Sequence, residues 1–206
     1  LRNSSAASDV YKRQVLNHAF GRSPIIRLWN EDDYGAPTNQ NPYANPIAKH
    51  PFNVGYDLNH ESAATRYFSK RIMQYWMQEY KIDGFRFDLS KGFTQVDNLN
   101  DVGAWGSYDA SRIAIWKDYN NFIRSIDSNA YVILEHFADN SEERALVDEG
   151  MLIWGNMNYE YNEATMGYNS DLRGVLASHR GFSKRNLIGY MAVSYTHLRA
   201  HETFAN

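Results

Sequence analysis

At 206 residues, with 43% hydrophobic and 15% aromatic side chains, the chain has material for one domain with a sizeable core and is too apolar for a disordered segment. A net charge of −3 offers no basic footprint for nucleic acid or a membrane surface, and the absence of cysteine excludes disulfides and thiolate metal sites. No stretch has the length and apolarity of a membrane-spanning helix, and no secretory signal pattern precedes the fold.

Residues 1–14 show neither strand alternation nor a capped helical period, and residues 192–206 are equally patternless after an apolar run. Both ends read as translated adaptor sequence flanking a gene fragment, with disordered tails as the alternative; residues 15–191 then carry the fold. Val15 to Phe20 is expected to end a strand, leaving Asn17 and His18 at its C-terminal edge, where polar side chains line the mouth of a barrel. A turn beginning at Asn17 is the alternative. Residues 21–59 are rich in Pro, Asn, Gly and aromatics, and Pro37, Pro42, Pro46 and Pro51 break any long element. A loop of this length inside a compact domain is usually functional. Asp57, near its end, is placed to cap the helix that follows.

Glu61 to Tyr80 predicts an amphipathic helix, with Ala64, Tyr67, Phe68, Ile72, Tyr75, Trp76 and Tyr80 near helical spacing, which makes Trp76 a core residue rather than an exposed binding platform. Ile82 to Leu89 predicts a short buried strand in which Gly84 allows close backbone approach. Arg86 and Asp88, two apart, share one face. A buried Arg beside an Asp keeps the carboxylate ionised, as a carboxylate nucleophile requires; a buried ion pair without chemistry is the alternative. Ser107 to Asp127 predicts a second helix, with Ile113, Ile115, Trp116, Tyr119, Phe122 and Ile123 facing inward. Tyr131 to Leu134 is a continuous apolar run, as in a strand covered on both faces, and Glu135 closes it. A carboxyl group there is poised for the raised pKa of a general acid, unless it merely pairs with a nearby base. A short helix over 141–149, a strand over 151–154, a helix over 171–179 and a strand over 186–191 complete the alternation, which is that of a parallel βα array. Trp154, Asn158, Tyr159 and Tyr161 follow the strand at 151–154 and cluster aromatic side chains near its C-terminal end.

Three segments, in this order, resemble the α-amylase family of glycoside hydrolases: Val15-Leu16-Asn17-His18, Gly84-Phe85-Arg86-Phe87-Asp88-Leu89-Ser90-Lys91 and Val132-Ile133-Leu134-Glu135-His136 are similar to its motifs at barrel strands 3, 4 and 5. Gly55-Tyr56-Asp57-Leu58-Asn59-His60 resembles the segment that ends the excursion after strand 3, with Gly55-Tyr56 departing from the usual Leu-Pro. The resemblance implies a partial (β/α)₈ barrel from the end of strand 3 to strand 7, with residues 21–59 as a short cleft wall. It implies a retaining glycosidase acting on α-glucosidic bonds of an α-glucan polysaccharide or oligosaccharide. Asp88 would be the nucleophile, Glu135 the acid/base and Arg86 the group that holds Asp88 charged. Carboxylates at the ends of adjacent strands can approach the roughly 5 Å separation of a retaining enzyme. His18 and Lys91 would contact sugar, with Trp154 a further substrate contact, and Asn17 and Asp57 would hold a structural calcium ion. Gly92 stands where the family usually has His, and Ala192-Val193-Ser194 where strand 7 should lead into a His-Asp pair. Without that third carboxylate and with unpaired sheet edges, the chain by itself is expected to be inactive and to fold poorly. A transglycosylase of the same family and a non-catalytic glucan-binding fragment are the alternatives. Location is open, with secretion or the cell envelope expected for a polymer-degrading enzyme.

Overall fold

A computed structural model describes residues 12–190. Strand β1 (Lys12–Gln14) is followed by β2 (His18–Ala19), helix α1 (Pro24–Arg27), β3 (Tyr56–Asp57), α2 (Ala63–Tyr80) and β4 (Gly84–Phe87). Then come α3 (Val102–Gly106), α4 (Ala110–Ile126), β5 (Tyr131–Leu134), α5 (Asn140–Asp148), β6 (Leu152–Asn156), α6 (Asn158–Thr165) and β7 (Leu187–Tyr190). Strands β1, β4, β5, β6 and β7 form one sheet in that order, every neighbouring pair parallel. Parallel neighbours need long crossovers, which the helices supply, so the sheet is an arc of a (β/α) barrel from strand 3 to strand 7.

The first strand lies three residues earlier than the apolar pattern suggests. Lys12, Arg13 and Gln14 pair with Phe85, Arg86 and Phe87, so part of the stretch grouped with the N-terminal tail belongs to the sheet. Strand pairing is made by backbone groups, and a Lys-Arg-Gln run conceals it from a reading based on apolar residues. Val15 and Leu16 follow the strand, while His18 and Ala19 pair antiparallel with Asp57 and Tyr56. Residues 1–11 and 191–206 lie outside the described residues, and with them most of both presumed tails and the position of the missing His-Asp pair.

Helix α2 is capped by Ser62, whose hydroxyl accepts from Ala64 N, and it ends at Lys81 in the left-handed region (φ 54°). Asp57 is therefore not its cap. Its buried stripe is Thr65, Ser69, Met73 and Met77; of the apolar set read from the sequence, Ile72 and Trp76 pack against the core from the edge of that stripe, whereas Tyr67, Tyr75 and Tyr80 are exposed. The seven apolar residues span more than one face, and the small Thr65 and Ser69 permit close approach on the buried one. Trp76 packs against the core, as expected. The stripe of α4 is as predicted for Ile113, Ile115, Trp116, Tyr119 and Ile123, with Asp109 capping the helix through Ser111 N and Arg112 N. The helix expected over 171–179 is only a 3₁₀ turn, Leu172–Val175. The core joins Phe85, Phe87, Val132, Leu134 and Ile153 of the strands to Phe93, Trp116 and Leu146. A Cβ at Gly84 would run into the Tyr131 backbone, so glycine sets the β4–β5 spacing.

Candidate active site

Register places the two candidate carboxylates side by side. Phe87 of β4 pairs with Leu134 of β5, so Asp88 and Glu135 are the next residues out on adjacent strands. Arg86, whose side chain is only 4% exposed, reaches both: Nη1 donates to Asp88 Oδ1, and Nη2 lies 2.9 Å from Glu135 Oε1. Both carboxylate side chains remain partly open, 22% and 19% exposed. After Asp88 the chain enters the left-handed region at Leu89 (φ 46°), and Leu89 N donates to Glu135 Oε2 at 3.0 Å. Phe137, two residues past Glu135, is also left-handed (φ 53°). Such conformations in non-glycine residues cost on the order of 1–3 kcal/mol each, and here they stand at the two strand ends that present the carboxylates. Burial pushes the Glu135 carboxyl up, and the Asp88 charge pushes it further, against the Leu89 N–H and Arg86, which hold it down.

Trp154 of β6 packs its ring 3.9 Å from the Arg86 guanidinium carbon, with Tyr190 edge-on at 4.5 Å. One face of its indole is thus taken by Arg86. His18, half-buried, is close enough for the Asp88 charge to oppose the lowering of its pKa by burial. Lys91 points elsewhere: its ammonium donates to Phe137 O at 2.9 Å and lies 3.9 Å from the Trp105 ring centre. Asn17 and Asp57 are both buried, and Asn17 Oδ1 and Asp57 Oδ1 have no hydrogen-bond partner. Gly92 follows from this packing, because a Cβ there would collide with Asn17 Oδ1 and come 2.8 Å from His50 Nε2.

Behind the carboxylates lies a buried network that the sequence reading missed. His136 Nδ1 is 3.0 Å from Ser90 Oγ and its Nε2 is 2.7 Å from Glu142 Oε1. Arg112 grips Glu142 with Nε at 2.6 Å and Nη2 at 2.7 Å, and donates to Lys91 O, Trp105 O and Ser107 O. Ser90, His136, Glu142 and Arg112 are all fully buried, so this serine, histidine and carboxylate have no access to a substrate. The signal was present in the sequence: Arg112 falls on the inward stripe with Trp116, Tyr119 and Ile123, and a charged residue there demands a buried partner. A cavity of about 490 Å³, lined by Met77, Lys81, Asp83 and Ile126, lies at the N-terminal end of β4, away from the carboxylates.

The family described as "Alpha amylase, catalytic domain" matches residues 49–201. The chain is 32% identical over 92 residues to the pullulanase of Bacillus subtilis (strain 168), a match covering 45% of this chain and 11% of that protein. Among solved structures it is similar to an α-amylase from Anoxybacillus (TM-score 0.58, 15% identity, 94% of this chain and 42% of that one). It is also similar to a pullulanase from Anoxybacillus sp. LM18-11 (TM-score 0.51, 18% identity, 86% and 26%). The chain thus spans less than half the length of each of these relatives.

Proposed function

The chain belongs to the α-amylase family of catalytic domains, and from that premise we propose that it carries the nucleophile and acid/base of a retaining glycoside hydrolase acting on α-glucans. The observation that carries this reading is the sharing of one guanidinium, that of Arg86, between two partly open carboxylates on adjacent strand ends. One cation cannot neutralise two carboxylates, so one of them holds a proton more easily, and burial selects Glu135. Asp88, ionised, attacks the anomeric carbon while Glu135 gives its proton to the departing glycosidic oxygen. A water then loses a proton to Glu135 and displaces Asp88 from the same carbon, so configuration is retained and both groups return to their starting states.

Arg86 keeps Asp88 charged, and Trp154 braces Arg86 rather than offering an open face. His18 is proposed to donate to a sugar hydroxyl beside Asp88. Lys91, its ammonium already satisfied, is proposed to border the cleft at a more distant sugar. The α-glucan class rests on family membership and on the similarity to a pullulanase. Among the described residues no helix is long and apolar enough to cross a membrane.

The test is Glu135→Gln in the protein that carries this chain. Loss of a general acid typically costs about 10²–10⁴-fold on a poor leaving group and far less on an activated aryl glucoside. Activity of the unsubstituted protein on starch should fall as pH rises through the raised Glu135 pKa, because the acid must enter the step protonated. Equal losses on both substrates, or an alkaline limb unchanged in the variant, would remove Glu135 from this role. Binding of glucan without release of reducing ends would replace the enzyme reading with a binding one.

A further inference from the structure

The pairing of β4 with β5 changes step beside Glu135. Tyr131 N donates to Asp83 O at 2.9 Å and Glu135 N to Phe87 O at 3.1 Å, and the two strands hold one parallel register from Gly84 opposite Tyr131 to Phe87 opposite Leu134. Continued in that register, the ladder would meet Glu135 O with the N–H of Leu89. The donor is instead Ser90 N, at 3.0 Å. Leu89 is thus an extra residue, a bulge at the end of β4, and its N–H is released from the ladder. That N–H donates to Glu135 Oε2 at 3.0 Å.

The conformation of the turn is enforced. Gly92 N donates to Leu89 O at 2.8 Å, Trp116 Nε1 to Ser90 O at 3.0 Å, and Trp105 Nε1 and Arg112 Nη1 to Lys91 O at 3.2 and 3.1 Å. None of these bonds uses the Leu89 N–H. Leu89 nevertheless stands at φ 46°, a conformation that non-glycine residues keep only where their surroundings dictate it and that recurs at functional sites. We propose that Leu89 is a positioning residue for proton transfer: its N–H, freed by the bulge, fixes Glu135 Oε2 and stabilises the carboxylate that remains once the Glu135 proton has passed to the departing glycosidic oxygen. The inference rests on the reading of Glu135 as the acid. Arg86 cannot fill this role alone, because its guanidinium is shared with Asp88. A second cation there would hold both carboxyls ionised and leave no acid, whereas an uncharged donor favours the carboxylate over the protonated group without abolishing the latter. When water later returns a proton to Glu135, the same N–H moderates that uptake.

In the protein that carries this chain, Leu89 is replaced by its α-hydroxy acid through nonsense suppression, which exchanges the N–H for an ester oxygen and keeps the side chain. The alkaline limb of starch hydrolysis should move up by about one pH unit, and turnover on starch should fall a few-fold while that on an activated aryl glucoside holds. Leu89→Gly keeps the N–H and adopts φ 46° freely, so its limb should stay in place whatever its turnover. In the unsubstituted protein labelled with ¹⁵N-leucine, the Leu89 amide proton, identified by its loss in Leu89→Gly, should shift downfield across the same limb, and no such shift should occur in Glu135→Gln. This last readout holds whether or not the ester variant folds. A Leu89 amide that does not respond across the limb, or an ester variant whose limb stays in place, would overturn the inference while Glu135 remained the acid. A limb that survives unchanged in Glu135→Gln would overturn the reading of Glu135 and the inference with it.

Discussion

Two buried charge clusters flank the turn from Leu89 to Gly92, and they contain similar residues put to opposite ends. In one, Arg86 serves two carboxylates, Asp88 and Glu135, whose side chains are about one-fifth exposed. In the other, Arg112 serves one carboxylate, Glu142, and His136, Asp109 N and three carbonyls complete the shell with nothing left open. The second even contains a serine, a histidine and a glutamate in sequence of contact, the components of an acyl-transfer site. Residue type does not separate the two clusters. Charge stoichiometry and access do: one cation per two acids leaves a proton to be held and given up, whereas one cation per acid in a closed shell leaves nothing to react.

The sharpest way to break this comparison is to remove one polar function from each cluster in the protein that carries the chain. Asp88→Asn keeps the shape and removes the charge of the proposed nucleophile, so turnover of α-glucan should fall by roughly 10⁴-fold or more while glucan binding persists. The same substitution removes a like charge from beside Glu135, so the alkaline limit of any residual activity should move down. Ser90→Ala should leave turnover within a few-fold, since that hydroxyl touches only His136. Comparable losses in the two variants would mean that the closed cluster takes part in the chemistry.

Stability should show the reverse order. Glu142→Gln leaves the Arg112 guanidinium buried without its carboxylate, a change that typically costs about 3–5 kcal/mol. Replacing both, as Arg112→Met with Glu142→Leu, should cost less than the single change, because no uncompensated charge remains. Urea unfolding of the three proteins measures this. A double variant less stable than Glu142→Gln would show that the hydrogen bonds from Arg112 to Lys91 O, Trp105 O and Ser107 O matter more than the ion pair.

The first cluster was legible in the sequence and the second was not, for a physical reason. Arg86, Asp88 and Glu135 lie at strand ends, where period-2 alternation and an apolar run terminated by a carboxylate mark them without any knowledge of long-range contacts. Glu142 and His136 signal nothing locally. Their pairing with Arg112 depends on how α4 and α5 pack, and only the inward position of Arg112 hinted at a partner. The β1 strand was missed because its residues are polar and its pairing is carried by the backbone, and the centre of the packed face of α2 was missed because Thr65 and Ser69 look like surface residues.

His60 provides the smallest of these tests and the one that reads the packing behind both clusters. Its ring is fully buried, stacked on Phe93 with centroids 3.6 Å apart. Nε2 lies 2.7 Å from Leu16 O and must donate to it, which leaves Nδ1 to accept from the Tyr119 hydroxyl at 2.8 Å. The neutral ring thus links the segment after β1 to α4, and a second proton would reverse the Tyr119 bond, making its hydroxyl oxygen the acceptor. Burial accordingly lowers the His60 pKa to about 4 from an ordinary 6.5. In the window between these values the unfolded chain binds the proton and the folded one does not, so stability is fully present above about pH 6.5 and is lost as pH falls toward 4. A difference of that size corresponds to a loss on the order of 3 kcal/mol. His18 and His136 are shifted in the same direction, so the contribution of His60 is read by difference. Urea midpoints at pH 7 and pH 4.5 should lie further apart for the unsubstituted chain than for His60→Gln, which cannot titrate. An equal separation in the two proteins would mean that His60 keeps an ordinary pKa and that the link from Leu16 to Tyr119 is not closed.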